Sequence, residues 1–439
     1  MDTKAQAVAL QAQAGLGSHL YRYGQLLLLV IAAGAIYPVL YLRQVYQTSM
    51  IEALAIDNQQ LGYLYSILGA AFMISYLPSG WLADRIAPRI LISISLLGTG
   101  LLAMWYAALP DFHNLLLIFC GFGVTTGLTF WAALLKRVKT LASKKEQGRF
   151  FGILDGGRGL IEALLATIAI SLFAYFTQDQ GQPLAEGFQR VIHLYAYTCL
   201  ALGVVLAALR DPQRVNAAAE MSALEKSGAV VKGNLLKDLK LLARLPELWL
   251  ITAIVFCGYH FFWATYSFSA YLEQGGLGLT ATMAGVITTI KLWMRPVGGI
   301  GGGWLGDRFT NLRVLTWALA LAGIGMLGLI TLPALHSVPI VIVLVVFIGL
   351  MTYAIRGLYW AILDQCPIPE RITGLAIGII SVVGYSPDVL LPLVNGWVTQ
   401  AFPGMLGYQI YFTYVLVMGS LGVVAALALK KRIAKRSHA

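Results

Sequence analysis

The feature that most constrains this chain is a series of apolar stretches, each of about 20 residues or more. We distinguish twelve, at 24–48, 60–82, 90–109, 115–135, 150–176, 191–209, 247–271, 280–304, 312–332, 339–362, 373–398 and 405–429. Each can cross about 30 Å of hydrocarbon as a helix that rises about 1.5 Å per residue. The sequence therefore predicts an all-α membrane protein with twelve transmembrane helices.

The composition agrees with a membrane location. Of the residues, 58% are hydrophobic and 12% are charged, whereas soluble domains are about 45–50% apolar and about 25% charged. A transmembrane β-barrel is disfavoured, because its strands alternate apolar and polar residues over roughly ten positions. The first apolar stretch is too long for a cleavable signal peptide. The four cysteines have no paired spacing, so we expect neither a metal nor a cofactor.

The net charge of +11 reflects the orientation of the helices. If the N-terminus is cytoplasmic, 25 of the 31 lysines and arginines lie in inner loops and tails, and only Arg190 lies in an outer loop. This is the positive-inside distribution, so we place both termini in the cytoplasm. We interpret the basic runs 136–149 and 430–439 as anchors beside anionic lipid rather than as nucleic-acid contacts.

The chain contains an internal repeat. GWLADR at 80–85 returns as GWLGDR at 303–308, and FWAALL at 130–135 returns as YWAILD at 359–364. The offsets of 223 and 229 residues are nearly equal, which indicates two parallel six-helix repeats. The predicted organisation is a cytoplasmic segment 1–23, a bundle 24–209, a cytoplasmic loop 210–246 with short surface helices, a bundle 247–429 and a basic tail 430–439.

The motif after the second helix resembles the signature of the major facilitator superfamily, G-x-L-a-D-R-x-x-x-R/K. The resemblance covers almost the whole chain and implies the major facilitator fold and secondary transport. It further implies that the motif latches the two halves together on the cytoplasmic face in one state and releases them in another; a tight cytoplasmic turn is the alternative. The gating residues carried over are Gly80, Asp84, Arg85 and Arg89, with Gly303, Asp307 and Arg308 in the second half.

Eight charged residues lie within the predicted helices. Such residues are costly in hydrocarbon and usually face a cavity or a partner. Their excess of positive charge favours an anionic substrate, because arginine offers a planar pair of donors to carboxylate, phosphate or sulfonate. The eight are Arg43, Arg158, Lys291, Arg295 and Arg356, with the acids Asp155, Glu162 and Asp388.

The acidic residues have two interpretations. Arg158 lies three residues after Asp155 and four before Glu162, so an ion-pair network within the fifth helix is one of them. Proton coupling is the other, because burial disfavours a charged carboxylate. Asp388 is a candidate for proton coupling too, and also for pairing with the cations of the eighth helix.

Helices one, four, seven and ten line the central path in the superfamily, and this guides the predicted substrate site. For the aromatic members, lipid-facing packing is the alternative. The first quarter of the chain most resembles the organophosphate:phosphate antiporters, through ADRIAPR at 83–89, although Leu40 stands where those proteins carry a tyrosine. The predicted substrate-binding residues are Arg43, Arg295, Arg356, Tyr41, His260, Tyr266, Tyr359 and Lys291.

Two alignments of the repeat place Arg43 differently. Matching YLRQ at 41–44 to YLEQ at 271–274 ends the first helix there and makes Arg43 an interfacial anchor. Matching 52–54 to 270–272 continues the helix to about Leu54 and puts Arg43 in the cavity, opposite His260. We favour the second alignment, because its offset is closer to that of the loop motif.

The sequence thus predicts a secondary transporter, not an enzyme. It would move a small organic anion (a phosphate ester, carboxylate or sulfonate) by alternating access, as an antiporter or with protons. One alternative is a proton-coupled exporter of an amphipathic or cationic compound, in which the acids dominate binding. Another is a membrane sensor with a transporter fold. We expect a monomer in a bacterial inner membrane, with the solute, the bilayer and protons as its partners.

Overall fold

A computed structural model describes residues 21–142, 147–209, 235–274, 277–331, 337–363 and 373–437. Twelve helices of membrane-spanning length lie within these ranges, as the sequence predicts. The first six are α1 (Tyr21–Tyr41, continued by Arg43–Leu54), α2 (Asn58–Arg85), α3 (Pro88–Ala107), α4 (Phe112–Leu141), α5 (Gln147–Ala174, continued by the π-helical turn Tyr175–Asp179) and α6 (Leu184–Ala208).

The second six helices repeat this arrangement. They are α7 (Pro246–Gln274), α8 (Ala281–Phe309), α9 (Asn311–Thr331), α10 (Val338–Leu358), α11 (Thr373–Gly384, then Pro387–Ala401) and α12 (Met405–Ser437). Ten of the twelve are long and apolar enough to span a bilayer, and α2 and α8 are 28 and 29 residues long.

The loop between the halves is described only from residue 235. There it forms a short helix, Leu235–Ala243, which confirms the predicted surface helix. Most of the predicted loop, 210–234, lies outside the described residues. The basic run after 429 continues α12 as a helix to Ser437.

Helices α1 and α7 break at equivalent depths. The chain of α1 passes through a 3₁₀ turn, Pro38–Tyr41, and resumes at Arg43. Helix α7 has the same feature at Thr265–Ser267 and resumes at Phe268, 225 residues later. Proline at the start of the first break removes a backbone donor. The second alignment of the repeat predicts that α1 continues to about Leu54, and the structure confirms this.

The two halves contact each other in their middle and outer parts, through α2 with α11 and α5 with α8. A Cβ built on Gly69 of α2 would lie 2.5 Å from the carbonyl oxygen of Asp388 in α11. On the other side, a Cβ on Gly159 of α5 would lie 3.0 Å from the Arg295 side chain of α8. The Gly69 approach requires glycine, because the neighbouring atom is backbone, and both contacts show that the halves are closed from the middle of the membrane outward.

The same helix faces separate toward the cytoplasm. Gly152 and Gly156 lie on the face of α5 that carries Gly159, and Gly299 and Gly303 lie on the face of α8 that carries Arg295. A Cβ at any of these four inner glycines would meet nothing within 4 Å, and the same holds for Gly80 of α2. With the termini inside, the molecule is therefore inward-facing.

The opposite face of α8, along the glycine-rich stretch GGIGGG at 298–303, packs within its own half. A Cβ on Gly298 would lie 2.6 Å from the carbonyl oxygen of Leu350, and one on Gly302 would lie 3.1 Å from Ala354. Both partners belong to α10. The spacing of four residues between these two glycines thus allows close helix packing.

Candidate functional site

An ion pair joins the two halves at the middle of the membrane. Arg295 of α8 donates through Nη1 to Oε2 of Glu162 on α5, and the two side chains are 13% and 16% exposed. The guanidinium also lies 5.9 Å from the ring centroid of Tyr353 on α10. We call Arg158, Glu162, Arg295 and Arg356 the inner cluster.

Arg158 lies one turn closer to the cytoplasm than Glu162, between aromatic rings. Its guanidinium carbon is 4.5 Å from the centroid of Tyr37 and 5.4 Å from that of Trp131. The buried Nε atom has no acceptor among the described residues. The ion-pair network predicted within α5 is therefore not formed, because Glu162 turns to Arg295 across the interface between halves, and Asp155 is exposed.

Arg356 of α10 is the cation of the cluster that packs against α7. Its guanidinium stacks on Phe262 at 4.0 Å and lies 5.8 Å from the centroid of Tyr259, both on α7. It is only half-buried. In the part of the chain that the structure describes, it forms no ion pair.

Three hydroxyl and indole groups surround Arg356 on the inner side. The Tyr359 and Tyr385 hydroxyls lie 3.0 Å apart, and Trp360 Nε1 donates to the Tyr385 hydroxyl at 3.2 Å. Tyr359 is therefore brought beside the cluster, as predicted for a substrate residue. Tyr385 is absent from the residues predicted from the sequence. The one feature that sets it apart is its position in the break between the two parts of α11.

An aromatic layer covers the inner cluster on its outer side. Tyr41, Tyr65, Trp263 and Tyr266 form it, with ring centroids 4.9 to 6.4 Å apart. Trp263 donates through Nε1 to Oδ1 of Asp388 at 2.6 Å. Asp388 therefore pairs with an indole, and the predicted pairing with the cations of α8 is wrong.

Arg43 lies beyond the aromatic layer and is 2% exposed. Its Nε donates to Gln47 at 3.1 Å, and its Nη2 donates to Ser267 of α7 at 3.5 Å and to Asn395 of α11. We call these residues, with Arg43, the outer seal. Arg43 is thus inside the protein, as the favoured alignment predicts, but it faces Ser267 and Asn395 rather than His260.

Lys291 is fully buried one turn outward of Arg295. Its Nζ donates to Oγ1 and to the carbonyl oxygen of Thr265, at 3.3 and 3.5 Å. It also lies 6.0 Å from the centroid of Tyr266. No carboxylate pairs with it among the described residues. Lys291 therefore hydrogen-bonds to the break in α7.

His260 is separated from these groups. Its Nδ1 lies 2.7 Å from the carbonyl oxygen of Phe256, and its Nε2 lies 3.2 Å from the hydroxyl of Tyr414 on α12. It is fully buried on the side of α7 that faces α12. The structure thus brings Tyr41, Tyr266 and Tyr359 to the path between the halves and leaves His260 within the second half.

The arginines of the predicted gating motif contact rings of their own helices at the cytoplasmic ends of α2 and α8. Arg85 stacks on Trp81 at 4.0 Å, and Arg308 lies 5.9 Å from Trp304, each within its own half. Asp307 is exposed. The buried Nη1 of Arg89 has no partner in the described ranges, and the Asp84 side chain lies outside them.

The exposure of the inner cluster, the aromatic layer and the outer seal shows from which side a solute can enter. Arg158, Arg295 and Arg356 are all partly exposed, whereas Trp263 and Arg43 beyond them are buried. A solute can therefore reach the arginines from the cytoplasm and is blocked on the other side. Chemically, the site offers several guanidinium donors with one ion-paired carboxylate among them, beside the hydroxyls of the buried Tyr359 and the partly exposed Tyr385.

Comparison with known proteins agrees with this architecture. A family model described as the Major Facilitator Superfamily matches residues 25–392. The inner membrane protein YqcE of Escherichia coli (strain K12) is 29% identical over 418 residues, which cover 90% of this chain and 94% of that protein. The probable galactarate/D-glucarate transporter GarP of the same strain is 23% identical over 434 residues, which cover 91% and 95%.

A solved structure shows the same fold. A bacterial homolog of the human lysosomal transporter Spinster, in an inward-facing and unoccupied conformation, has a TM-score of 0.74 with this chain. The two are 16% identical, over 94% of this chain and 98% of that one. With its helices repeated in two halves, and with the family match over most of its length, this multi-pass membrane transporter belongs to the Major Facilitator Superfamily.

Proposed function

We propose that this transporter carries a small organic anion, which binds to Arg356, Arg295 and Arg158 from the cytoplasmic side in the state described. The observation that carries the proposal is the unequal pairing of these arginines. Only Arg295 has a carboxylate partner within the described residues. Among the described side chains, Arg356 contacts only aromatic rings, and Arg158 keeps a buried donor without an acceptor. A bound anion would supply the missing acceptors.

A carboxylate fits this site best. Two partly exposed guanidinium groups on opposite halves, Arg158 and Arg356, can each bind a carboxylate of one solute. The Tyr359 and Tyr385 hydroxyls beside Arg356 suit a hydroxylated carbon chain between them. GarP, which is named for galactarate and D-glucarate, supports a sugar acid as the substrate class. Phosphate esters and sulfonates share the anion chemistry and remain comparisons in the test.

Transport would proceed by alternating access around this site. The outer seal and the aromatic layer open as the inner faces of α5 and α8 close, and the motif at Gly80 and Gly303 then latches the cytoplasmic ends. Glu162 forms an ion pair with Arg295 in the inward-facing state. A proton on Glu162 would release Arg295 to the substrate, which couples proton movement to anion binding.

The test is uptake by the full-length protein in liposomes. Counterflow of glucarate and galactarate should exceed that of a sugar phosphate, an alkyl sulfonate and an organic cation. Arg158→Gln/Arg356→Gln should lose this uptake, whereas Arg190→Gln, an exposed arginine at the outer end of α6, should retain it. Uptake of the cation alone would favour the exporter alternative. Binding without flux would favour a sensor.

A further inference from the structure

A second charged region lies on the cytoplasmic face of the second half, away from the transport path. A groove of about 1050 Å³ lies between the end of the loop helix Leu235–Ala243, the start of α7 and the last turns of α12. Its lining includes Arg244, Lys431, Lys435 and Arg436. The transport proposal uses none of these residues.

The walls of the groove are fixed to each other. Arg432 of α12 donates through Nε to Oε1 of Glu247 at the start of α7, at 3.3 Å. Trp249 donates through Nε1 to the carbonyl oxygen of Ala243, at 2.9 Å, which joins α7 to the loop helix. The groove is therefore a defined concavity where three helical elements converge.

The groove carries a strong excess of positive charge. Five of its lining residues are cationic and one, Glu247, is acidic. Glu247 is occupied by Arg432, so Arg244, Lys431, Lys435 and Arg436 are left without an acidic partner among the described residues. Four cations held around one concavity repel one another, and an anion between them would relieve that repulsion.

The groove also opens onto the lipid-facing surface. Trp249 is 45% exposed at the start of α7, where the helix enters the membrane, and Leu427 and Val424 of α12 are 51% and 62% exposed one to two turns deeper. Tryptophan is the side chain most typical of the membrane interface. A ligand in the groove thus has cations at one end and hydrocarbon-facing residues at the other.

We propose that this groove binds the phosphate headgroup of an anionic phospholipid of the inner leaflet. The phosphodiester lies between Lys431, Lys435 and Arg244, and the acyl chains follow Trp249 and the exposed face of α12. Basic pockets between helix ends on the cytoplasmic side are suited to such headgroups. A soluble phosphate would contact the cations alone, whereas a phospholipid would also contact the apolar end of the groove. The apolar end therefore favours a lipid.

The test uses the fluorescence of Trp249 in nanodiscs. Full-length protein is placed in phosphatidylcholine with a minor fraction of phosphatidylglycerol, and one lipid or the other carries bromine on its acyl chains. Subtracting the signal of Trp249→Phe isolates the quenching of Trp249. We expect brominated phosphatidylglycerol to quench about fivefold more strongly per molecule than brominated phosphatidylcholine, since each nearby cation favours anionic lipid.

Two charge-matched variants decide whether the groove is responsible. Lys431→Gln/Lys435→Gln should reduce the preference to near unity. Lys139→Gln/Lys430→Gln removes two exposed cytoplasmic lysines outside the groove and should preserve it. Equal quenching by both lipids, or equal loss in both double variants, would overturn the proposal. So would displacement of the lipid by inorganic phosphate at constant ionic strength, which would assign the groove to a soluble anion.

Discussion

Arg43 and Arg356 are both arginines inside a membrane, and they differ in what their donors contact. Arg43 is 2% exposed and donates to three neutral side chains, two of which belong to the opposite half. Arg356 is half-buried and contacts only rings among the described side chains. We therefore expect the first arginine to stabilise one conformation and the second to bind a ligand.

The neutral partners of Arg43 suit a contact that must also open. A buried arginine paired with a carboxylate would be costly to separate, while amide and hydroxyl acceptors are more easily replaced by water. The Asn395 amide also makes the outer seal easier to open, because its Nδ2 is buried without an acceptor in the described part of the chain. An unsatisfied buried donor costs about 1–3 kcal/mol, so the outer seal is less stable than its contacts suggest.

The largest expected effect is on substrate affinity, and it separates the two arginines. Arg356→Gln should weaken anion binding from the cytoplasmic side about ten- to hundredfold, because a hydrogen bond to a charged group contributes about 1.5–3 kcal/mol. Arg43→Gln should change the same affinity by less than about twofold. Isothermal titration of the purified protein with the transported anion measures both. Equal losses in the two variants would show that Arg43 is a ligand as well.

A second effect concerns the balance between inward-open and outward-open states. Here Arg43→Gln should have the larger effect and Arg356→Gln the smaller one. Arg43→Gln removes the charged donor of the outer seal, so the outward-open population should rise about tenfold. Spin labels at Glu52→Cys and Phe402→Cys, on the outer ends of opposite halves, report the distance in a background without other cysteines. Arg356→Gln should leave the distance distribution of the parent protein unchanged. An unchanged distribution in Arg43→Gln would contradict the role of the seal.

A third prediction tests the acid of the inner cluster. Glu162→Gln is permanently neutral and frees Arg295, so anion binding should no longer strengthen as the pH falls. Accumulation driven by a proton gradient should decrease about fivefold or more, the low end of common coupling between two ligands. Exchange of one anion for another should persist. Glu186→Gln, at an exposed acid at the outer end of α6, is the control and should keep the wild-type pH dependence.

The smallest expected effect is at the phenols beside Arg356. Tyr359→Phe removes one hydroxyl, and a neutral hydrogen bond contributes about 0.5–1.5 kcal/mol. Uptake of a hydroxylated sugar acid should fall about two- to tenfold, while that of a dicarboxylate without hydroxyls should remain unchanged. Tyr197→Phe, at a tyrosine that is 58% exposed, should affect neither. A loss shared by both solutes would indicate a packing role for Tyr359 instead.

Several site residues could be predicted from the sequence, and others could not. A charged residue in an apolar helix is conspicuous, so Arg295, Glu162 and Arg356 were found. Asn395 and Tyr385 carry no comparable signal, since an amide or a phenol is common in membrane helices. His260 was selected for its chemistry, but its side of α7 faces Tyr414, and a helix of nearly uniform hydrophobicity does not show which side is which.

By itself, the sequence determined the number of helices, their orientation, the internal repeat and the presence of several charges inside the membrane. These follow from apolar length, from the distribution of cations and from similarity at a fixed offset, all of which are local or additive properties of the chain. Only the tertiary structure decided which charge meets which partner. Arg43 and Asn395 are 352 residues apart, and Glu162 prefers Arg295 to a neighbour on its own helix. Such contacts depend on how helices from the two halves pack, which is why depth alone did not settle the role of Arg43.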